Sequence, residues 1–291
     1  MEKKELMLTL WNYCNNRCTF CYNNNHYEFP LDIQAHLIDC LNLLKSDKIN
    51  QFTCIRLVGG ELFYGIIDKL NIQKQFVDIL NQLYYLLENN KISEINFVTN
   101  LMYTNRKDLC MTLELFKNKN ISLTTSYDWI GRFSSKTEKL WWDNLMFLKN
   151  NYPELIVDIS INITQPLITE ISKQWLDNFK EKIGSYTINF NELFTGIDKL
   201  SKRESSFSEL FPKRKDFLVF IRNLIDWGYI NTIKDNKETE LIHYIFDGNT
   251  GKIEYRNTNK VALTEKHNED GYIDSDASMQ EDIKRIINAS W

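Results

Sequence analysis

The strongest constraint on this chain is a regular alternation of short apolar segments with amphipathic helical ones. Strand-like segments lie at 6–11, 52–58, 92–99, 121–127, 155–164 and 185–191, and helical spacing occupies 31–45, 66–88, 105–118, 135–150 and 169–182. In 66–88, for example, Phe76, Ile79, Leu80, Leu83, Leu86 and Leu87 fall on one face. Strands separated by helices are joined by crossovers and run parallel. The expected fold class is therefore α/β: a partial (β/α)6 barrel over residues 1–195, followed by a small α+β C-terminal extension over 196–291. In that extension the pattern predicts a helix near 213–227 ending at Gly228, and a hairpin, 241–246 with 252–255, around Asp247 to Gly251. A short terminal helix is expected at 280–287.

The strands carry a second signal. Leu155, Val157, Ile159, Ile161 and Ile163 alternate with Asp158, Ser160 and Asn162, while Ile121 and Leu123 alternate with Ser122, Thr124 and Ser126. In the sixth strand Tyr186, Ile188 and Phe190 alternate with Thr187 and Asn189. A strand covered by helices must be apolar on its outer face, so the polar set is expected to face inward, into a lumen that holds a polar ligand. An antiparallel sheet with one wet face would give the same alternation, but the helices between the strands argue against hairpins.

A net charge of −4 gives no field favouring nucleic acid or an anionic membrane. No apolar run is long enough for a membrane span, and the N-terminus does not read as a signal peptide. A cytoplasmic protein is expected. Of six cysteines, Cys14, Cys18 and Cys21 crowd into one loop after the first strand, and none follows Cys110. A disulfide scaffold spreads its cysteines, whereas this clustering reads as a metal site.

Cys14-Asn-Asn-Arg-Cys18-Thr-Phe-Cys21 has the spacing C-x3-C-x2-C. Thiolates are the usual protein ligands of iron–sulfur clusters, and three on one loop leave a corner of a cubane open to a small molecule. The loop resembles the cluster motif of the radical S-adenosylmethionine (SAM) superfamily in its spacing, its place after the first strand and the aromatic Phe20 before the third cysteine. Gly59-Gly60-Glu61, closing the second strand, resembles that family's GGE motif. The resemblance, which covers residues 6–194, implies a [4Fe-4S] cluster on Cys14, Cys18 and Cys21, with SAM on its open iron and its amino group near Gly59, Gly60 and Glu61. It further implies cofactor contacts at the later strand ends: Thr99 and Asn100, Ser126 and Asp128, and Arg132 toward the SAM carboxylate. Asn162 and Asn189 join them as lumen-facing candidates.

The activity implied is reductive cleavage of SAM to a 5′-deoxyadenosyl radical, which abstracts hydrogen from a substrate, with a flavodoxin- or ferredoxin-type electron donor. Two substrate readings stay open: a peptide or protein, giving a crosslink or epimer, and a nucleoside, nucleotide or other small polar molecule. A third reading, from another class, is a non-catalytic iron–sulfur protein, or a zinc protein using His26 as fourth ligand. Cys40, Cys54 and Cys110 read as core residues, with Cys54 and Cys110 weak candidates for a thiol hydrogen donor. Without cysteines beyond Cys110, the C-terminal extension has no ligands for auxiliary clusters.

Overall fold

The computed structural model describes residues 4–18, 21, 32–128, 132–192, 210, 212–230, 242–247 and 252–257. Phe20, His26 and the 280–287 helix lie outside the described residues.

The sheet is built from β1 (Lys4–Thr9), β2 (Cys54–Val58), β3 (Glu94–Val98), β4 (Ile121–Ser126), β5 (Ile156–Ile163) and β6 (Thr187–Glu192). Each pairs in parallel with the next, as the alternation with helices predicts. Two further strands, β7 (Ile242–Asp247) and β8 (Lys252–Asn257), form the expected hairpin. Its place was not legible in the sequence: β7 lies parallel to β1, so one eight-stranded sheet runs β6-β5-β4-β3-β2-β1-β7-β8. The sheet curls. Arg56 of β2 and Thr187 to Asn191 of β6 line one cavity although three strands lie between them, which a flat sheet would not allow. The architecture is an incomplete parallel α/β barrel.

The helices are α1 (Ile33–Lys45), α2 (Ile66–Lys69), α3 (Gln73–Glu88), α4 (Lys107–Leu115), α5 (Ser135–Asn151), α6 (Gln165–Glu170), α7 (Lys173–Ile183) and α8 (Arg214–Asp226). Four of them, α1, α5, α6 and α7, start on a side-chain cap. Asp32 accepts from the Ala35 N–H at 3.0 Å, and Ser134 with Thr137 forms a reciprocal capping box on α5. Two expected helices are each split in two. Asn71 takes a left-handed φ of 54° between α2 and α3, a conformation asparagine tolerates. Ile171 is extended, and Ser172 then caps a new helix by accepting from Trp175 N–H at 3.2 Å.

The core lies between sheet and helices. Leu6, Leu8, Ile55, Leu57, Ile95, Phe97, Leu123, Ile159 and Ile161 are all buried on the outer face of the strands. They join one cluster with Phe76, Leu83, Leu113, Leu145 and Leu176 from the helices. Trp141 and Trp142 pack edge-on at 4.9 Å, and Trp141 donates to Thr125 Oγ1 at 3.0 Å, so this pair belongs to the helix–sheet interface. The complementary strand face is polar, as the alternation predicts. Asn96 donates to Ser122 Oγ at 2.8 Å and Thr124 Oγ1 at 3.0 Å, and Arg56 pairs with Glu5 at 3.1 Å.

Candidate functional site

The carboxyl ends of β1, β2 and β3 meet at one point. Beyond β1 the chain keeps running beside the end of β2: Gly60 N–H donates to Trp11 O at 2.9 Å, and Glu61 N–H to Tyr13 O at 2.8 Å. The Trp11 indole N–H closes the same seam on Glu61 O at 3.0 Å. The approach is so close that side chains cannot enter it. A Cβ at Gly59 would lie 2.4 Å from Trp11 O, and one at Gly60 would lie 1.8 Å from Tyr13 O; Gly59 also has φ +124°. Glycine is required at both positions by contact with the cysteine loop itself.

Glu61 turns inward and is 1% exposed. Its Oε1 accepts from Thr99 Oγ1 at 2.8 Å and Phe63 N–H at 3.0 Å, and its Oε2 accepts from Asn100 N–H at 2.5 Å. Burial lifts its carboxyl to about 7, against the opposing pull of the hydrogen bonds from Asn100, Phe63 and Thr99. The carboxylate thus ties the end of β2 to the turn after β3. Asn100 then carries the network to the cysteines: its Nδ2 donates to Asn15 Oδ1 at 2.7 Å and reaches Cys14 Sγ at 3.5 Å. Asn15 Nδ2 returns to Met102 O at 2.6 Å. Asn144 of α5 braces this turn from outside, donating to Leu101 O and Tyr103 O, both at 2.8 Å.

Among the described residues, no group of three or more His, Cys, Asp or Glu side chains is gathered as a site for a metal ion. The three cysteines nevertheless sense one another. Burial pushes the Cys14 thiol up to about 12, and Glu61, Cys18 and Cys21 push it the same way. Burial also raises Cys18, opposed chiefly by the Arg132 cation. Asn16 links the two: its backbone N–H lies 3.4 Å from Cys14 Sγ, and its Nδ2 lies 3.2 Å from Cys18 Sγ and 3.0 Å from Arg132 O. Arg132 Nε is 2.5 Å from Asp128 Oδ2, and Asp128 Oδ1 accepts from Asn162 N–H at 2.9 Å. Buried thiols with raised pKa, met by N–H donors, are a donor set that a cationic cluster completes, because thiolates rather than thiols satisfy those donors.

Of the sequence-derived candidates, Cys14, Gly59, Gly60, Glu61, Thr99 and Asn100 form this connected unit, and Cys18, Asp128, Arg132 and Asn162 form a second one joined to it through Asn16. Ser126 and Asn189 lie farther along the sheet, in one register row through Ser160. Phe20 lies outside the described residues. Cys54 begins β2, at the opposite end of the strand from Gly59, with Sγ 3.7 Å from Glu5 Oε2. Cys110 sits on α4 beside Tyr152, in the outer layer. Sequence reasoning missed Asn15 and Asn16, the variable positions of the cysteine motif, for which no local signal exists. It also passed over Arg56 and Asn191. These line a cavity of about 880 Å³ together with Thr124, Asp158, Ser160, Thr187 and Asn189, which the strand alternation assigns to the lumen, and with Phe190 and the Trp227–Ile230 turn.

Solved structures share this fold. SuiB from Streptococcus suis, bound to S-adenosylmethionine, aligns with a TM-score of 0.58 at 14% identity, over 92% of this chain and 63% of its own. Native anSMEcpe with bound AdoMet and Cp18Cys peptide aligns at 0.52 and 18% identity, over 77% of this chain and 59% of that one. HydG, a maturase of the [FeFe]-hydrogenase, aligns at 0.50 and 14% identity, over 79% and 51%. At these identities the likeness establishes the fold: this chain has the partial-barrel fold of those structures, and it spans about three-fifths of their length. No protein-family model and no curated protein matches the sequence.

Proposed function

We propose that this chain is a radical SAM enzyme, with Cys14, Cys18 and Cys21 as ligands of a [4Fe-4S] cluster. The observation that carries the reading is the seam in which Trp11 and Tyr13, flanking the cysteine loop, pair with Gly60 and Glu61 at adjacent strand ends. The segment that leads directly into the cysteine motif thus pairs with the GGE motif in one backbone ladder, in a fold shared with proteins described as bound to AdoMet. Barrel enzymes keep their active sites at this end of the strands.

Cluster and SAM together, when bound, supply one-electron cleavage of the sulfonium and a 5′-deoxyadenosyl radical that takes hydrogen from the substrate. The protein's own residues hold and shape the place. Gly59 and Gly60 allow backbone to approach without a Cβ. Glu61 fixes the turn at Thr99 and Asn100, and Asp128 holds Arg132 beside Cys18. The Ser126–Ser160–Asn189 row and the cavity beneath it are where SAM ribose and substrate would be gripped. The core spans residues 1–195, and residues 196–291 contribute to substrate choice through the Trp227–Ile230 turn.

The favoured substrate is a peptide or protein, giving a crosslink or epimer. Supporting it, anSMEcpe is described with a bound peptide, and the cavity is large enough for side chains. The hydroxyl and amide lining of Thr124, Ser160, Thr187, Asn189 and Asn191 favours a second reading, a nucleoside, nucleotide or other small polar substrate. Among the described residues no helix is long and apolar enough to cross a membrane. The reading includes a cytoplasmic location and a flavodoxin or ferredoxin as electron donor.

Anaerobic reconstitution should load about four irons per chain, and dithionite reduction with SAM should release 5′-deoxyadenosine. Cys18→Ala should abolish both. Wild-type protein that binds no iron, or a Cys18→Ala variant that still cleaves SAM, would overturn the proposal. Deuterium transfer into 5′-deoxyadenosine from labelled peptides or nucleotides separates the two substrate readings.

A further inference from the structure

We propose that Asn16 and Asn100 are positioning residues that donate side-chain N–H···S hydrogen bonds to Cys18 and Cys14 and thereby raise the reduction potential of the cluster. This rests on the cluster assignment above, and it gives Asn16, which no motif selects, and Asn100, expected only as a SAM contact, a role toward the cysteine sulfurs. Asn16 is a variable position between the first two cysteines. Asn100 stands on a different strand end, eighty-six residues from Cys14.

The geometry is specific to an amide. Asn16 Nδ2 lies 3.2 Å from Cys18 Sγ and is held there by Arg132 O at 3.0 Å, so its direction is set by a second acceptor. Asn100 uses both ends. Its Oδ1 accepts from Met102 N–H at 2.8 Å, which turns Nδ2 toward Asn15 Oδ1 at 2.7 Å and Cys14 Sγ at 3.5 Å. An aspartate would supply the Oδ1 contacts and no donor, and a serine would not reach. The Asn100 backbone is fixed in turn by its N–H on the Glu61 carboxylate, so the donor is carried on a buried, braced turn.

Reduction adds negative charge that spreads onto the ligand sulfurs. A donor aimed at sulfur stabilises the reduced state more than the oxidised one, so each such bond raises the potential. Two donors on two of three ligands therefore make the cluster easier to reduce. They also hold apart two functions that would otherwise be confused: iron retention by the thiolates and electron affinity set by the amides.

The test is a redox titration of the reconstituted holoprotein, followed by electron paramagnetic resonance, for wild type, Asn16→Ala and Asn100→Ala, with iron content measured on the same samples. Each variant should keep its iron and show a more negative midpoint. The reduced-to-oxidised ratio at a fixed poise should fall severalfold; a tenfold fall corresponds to 59 mV for a one-electron couple. Full iron with an unmoved midpoint in both variants overturns the inference while leaving the cluster assignment intact. Wild-type protein without iron overturns the cluster assignment itself. If a variant cannot retain the cluster, holoprotein carrying asparagine labelled with nitrogen-15 decides. Hyperfine coupling from side-chain amide nitrogens to the reduced cluster supports the inference, and its absence refutes it.

Discussion

Gly60→Ala probes the seam directly. An ideal Cβ there would sit 1.8 Å from Tyr13 O and 2.4 Å from the Tyr13 carbonyl carbon, both backbone atoms that no rotamer change can move aside. Real Cβ atoms keep 3.0 Å or more from such neighbours, so the segment carrying Trp11 and Tyr13 must withdraw by more than an ångström. The two backbone bonds at 2.9 and 2.8 Å then pass out of hydrogen-bond range. Leaving each pair unmade costs about 1–3 kcal/mol, so the substitution should destabilise the seam by roughly 2–6 kcal/mol. Gly65→Ala is the control. Gly65 also has a left-handed φ of +77° but nothing within 4 Å of its Cβ position, so only the conformational cost of about 1 kcal/mol applies. Urea unfolding of the metal-free protein measures the first quantity, and iron per chain after reconstitution measures the consequence for the cysteine loop. Gly60→Ala should lose several times more stability than Gly65→Ala, or, where the loop yields instead, take up little iron. A Gly60→Ala protein that matches Gly65→Ala in both assays would refute the steric argument.

Two further perturbations test the buried charges. Burial raises the Glu61 carboxyl from 4.5 to about 7, so its contribution to stability is full below pH 4.5 and is lost as the pH rises through about 7. At 1.36 kcal/mol per pH unit that window is worth roughly 3 kcal/mol, and unfolding free energy of the metal-free protein should fall across it by about that much more than in Glu61→Gln; equal slopes would refute the assignment. Arg132→Ala leaves Asp128, 1% exposed, without its cation and should cost about 3–5 kcal/mol, much of it recovered in the double variant with Asp128→Asn. A small loss in denaturant unfolding would mean that the pair is open to water. Trp141→Ala removes a fully buried ring and the donor to Thr125 and should cost about 3–5 kcal/mol; a loss under about 1 kcal/mol would show that the α5–sheet interface tolerates a cavity there.

Much of the architecture was legible because it follows from periodicity. Period-two alternation in 155–163 identified both the covered face, Val157 to Ile163, and the polar face, Asp158 to Asn162. Breaks inside the helices were not legible: nothing in the 66–88 spacing marks Asn71 as left-handed, since the residues on both sides keep the same apolar face. The edge on which β7 docks was hidden for a different reason, because a hairpin's sequence sets its own turn and not its neighbour. In the site, residue types with one chemical use, the three thiols and the two glycines, stood out by spacing. Asn100 was placed at the third strand end as a cofactor contact, whereas Asn16 was not singled out. The contacts of both with sulfur depend on partners from other strand ends, so they exist only once the sheet has brought residues 14–18, 61 and 99–102 together.

Placement of the hairpin has a consequence for substrate choice. Because β7 adds beside β1, β6 ends the sheet on its other side, and the polar cavity reaches round this edge to Asp177, Lys180 and the turn after α8. Tyr229 is anchored there, donating to Asp177 Oδ1 at 2.9 Å and meeting the Phe190 ring edge-on at 6.5 Å, while Trp227 packs against Phe220 at 6.4 Å. Residues from beyond 195 thus form a wall of the cavity, whose lining does not include Gly59, Gly60 or Glu61. On the proposed reading, Trp227→Ala should leave iron content and substrate-free 5′-deoxyadenosine release unchanged while reducing hydrogen transfer from the substrate. Parallel loss of both activities would place Trp227 in the cofactor machinery, and no change in either would remove the turn from substrate selection.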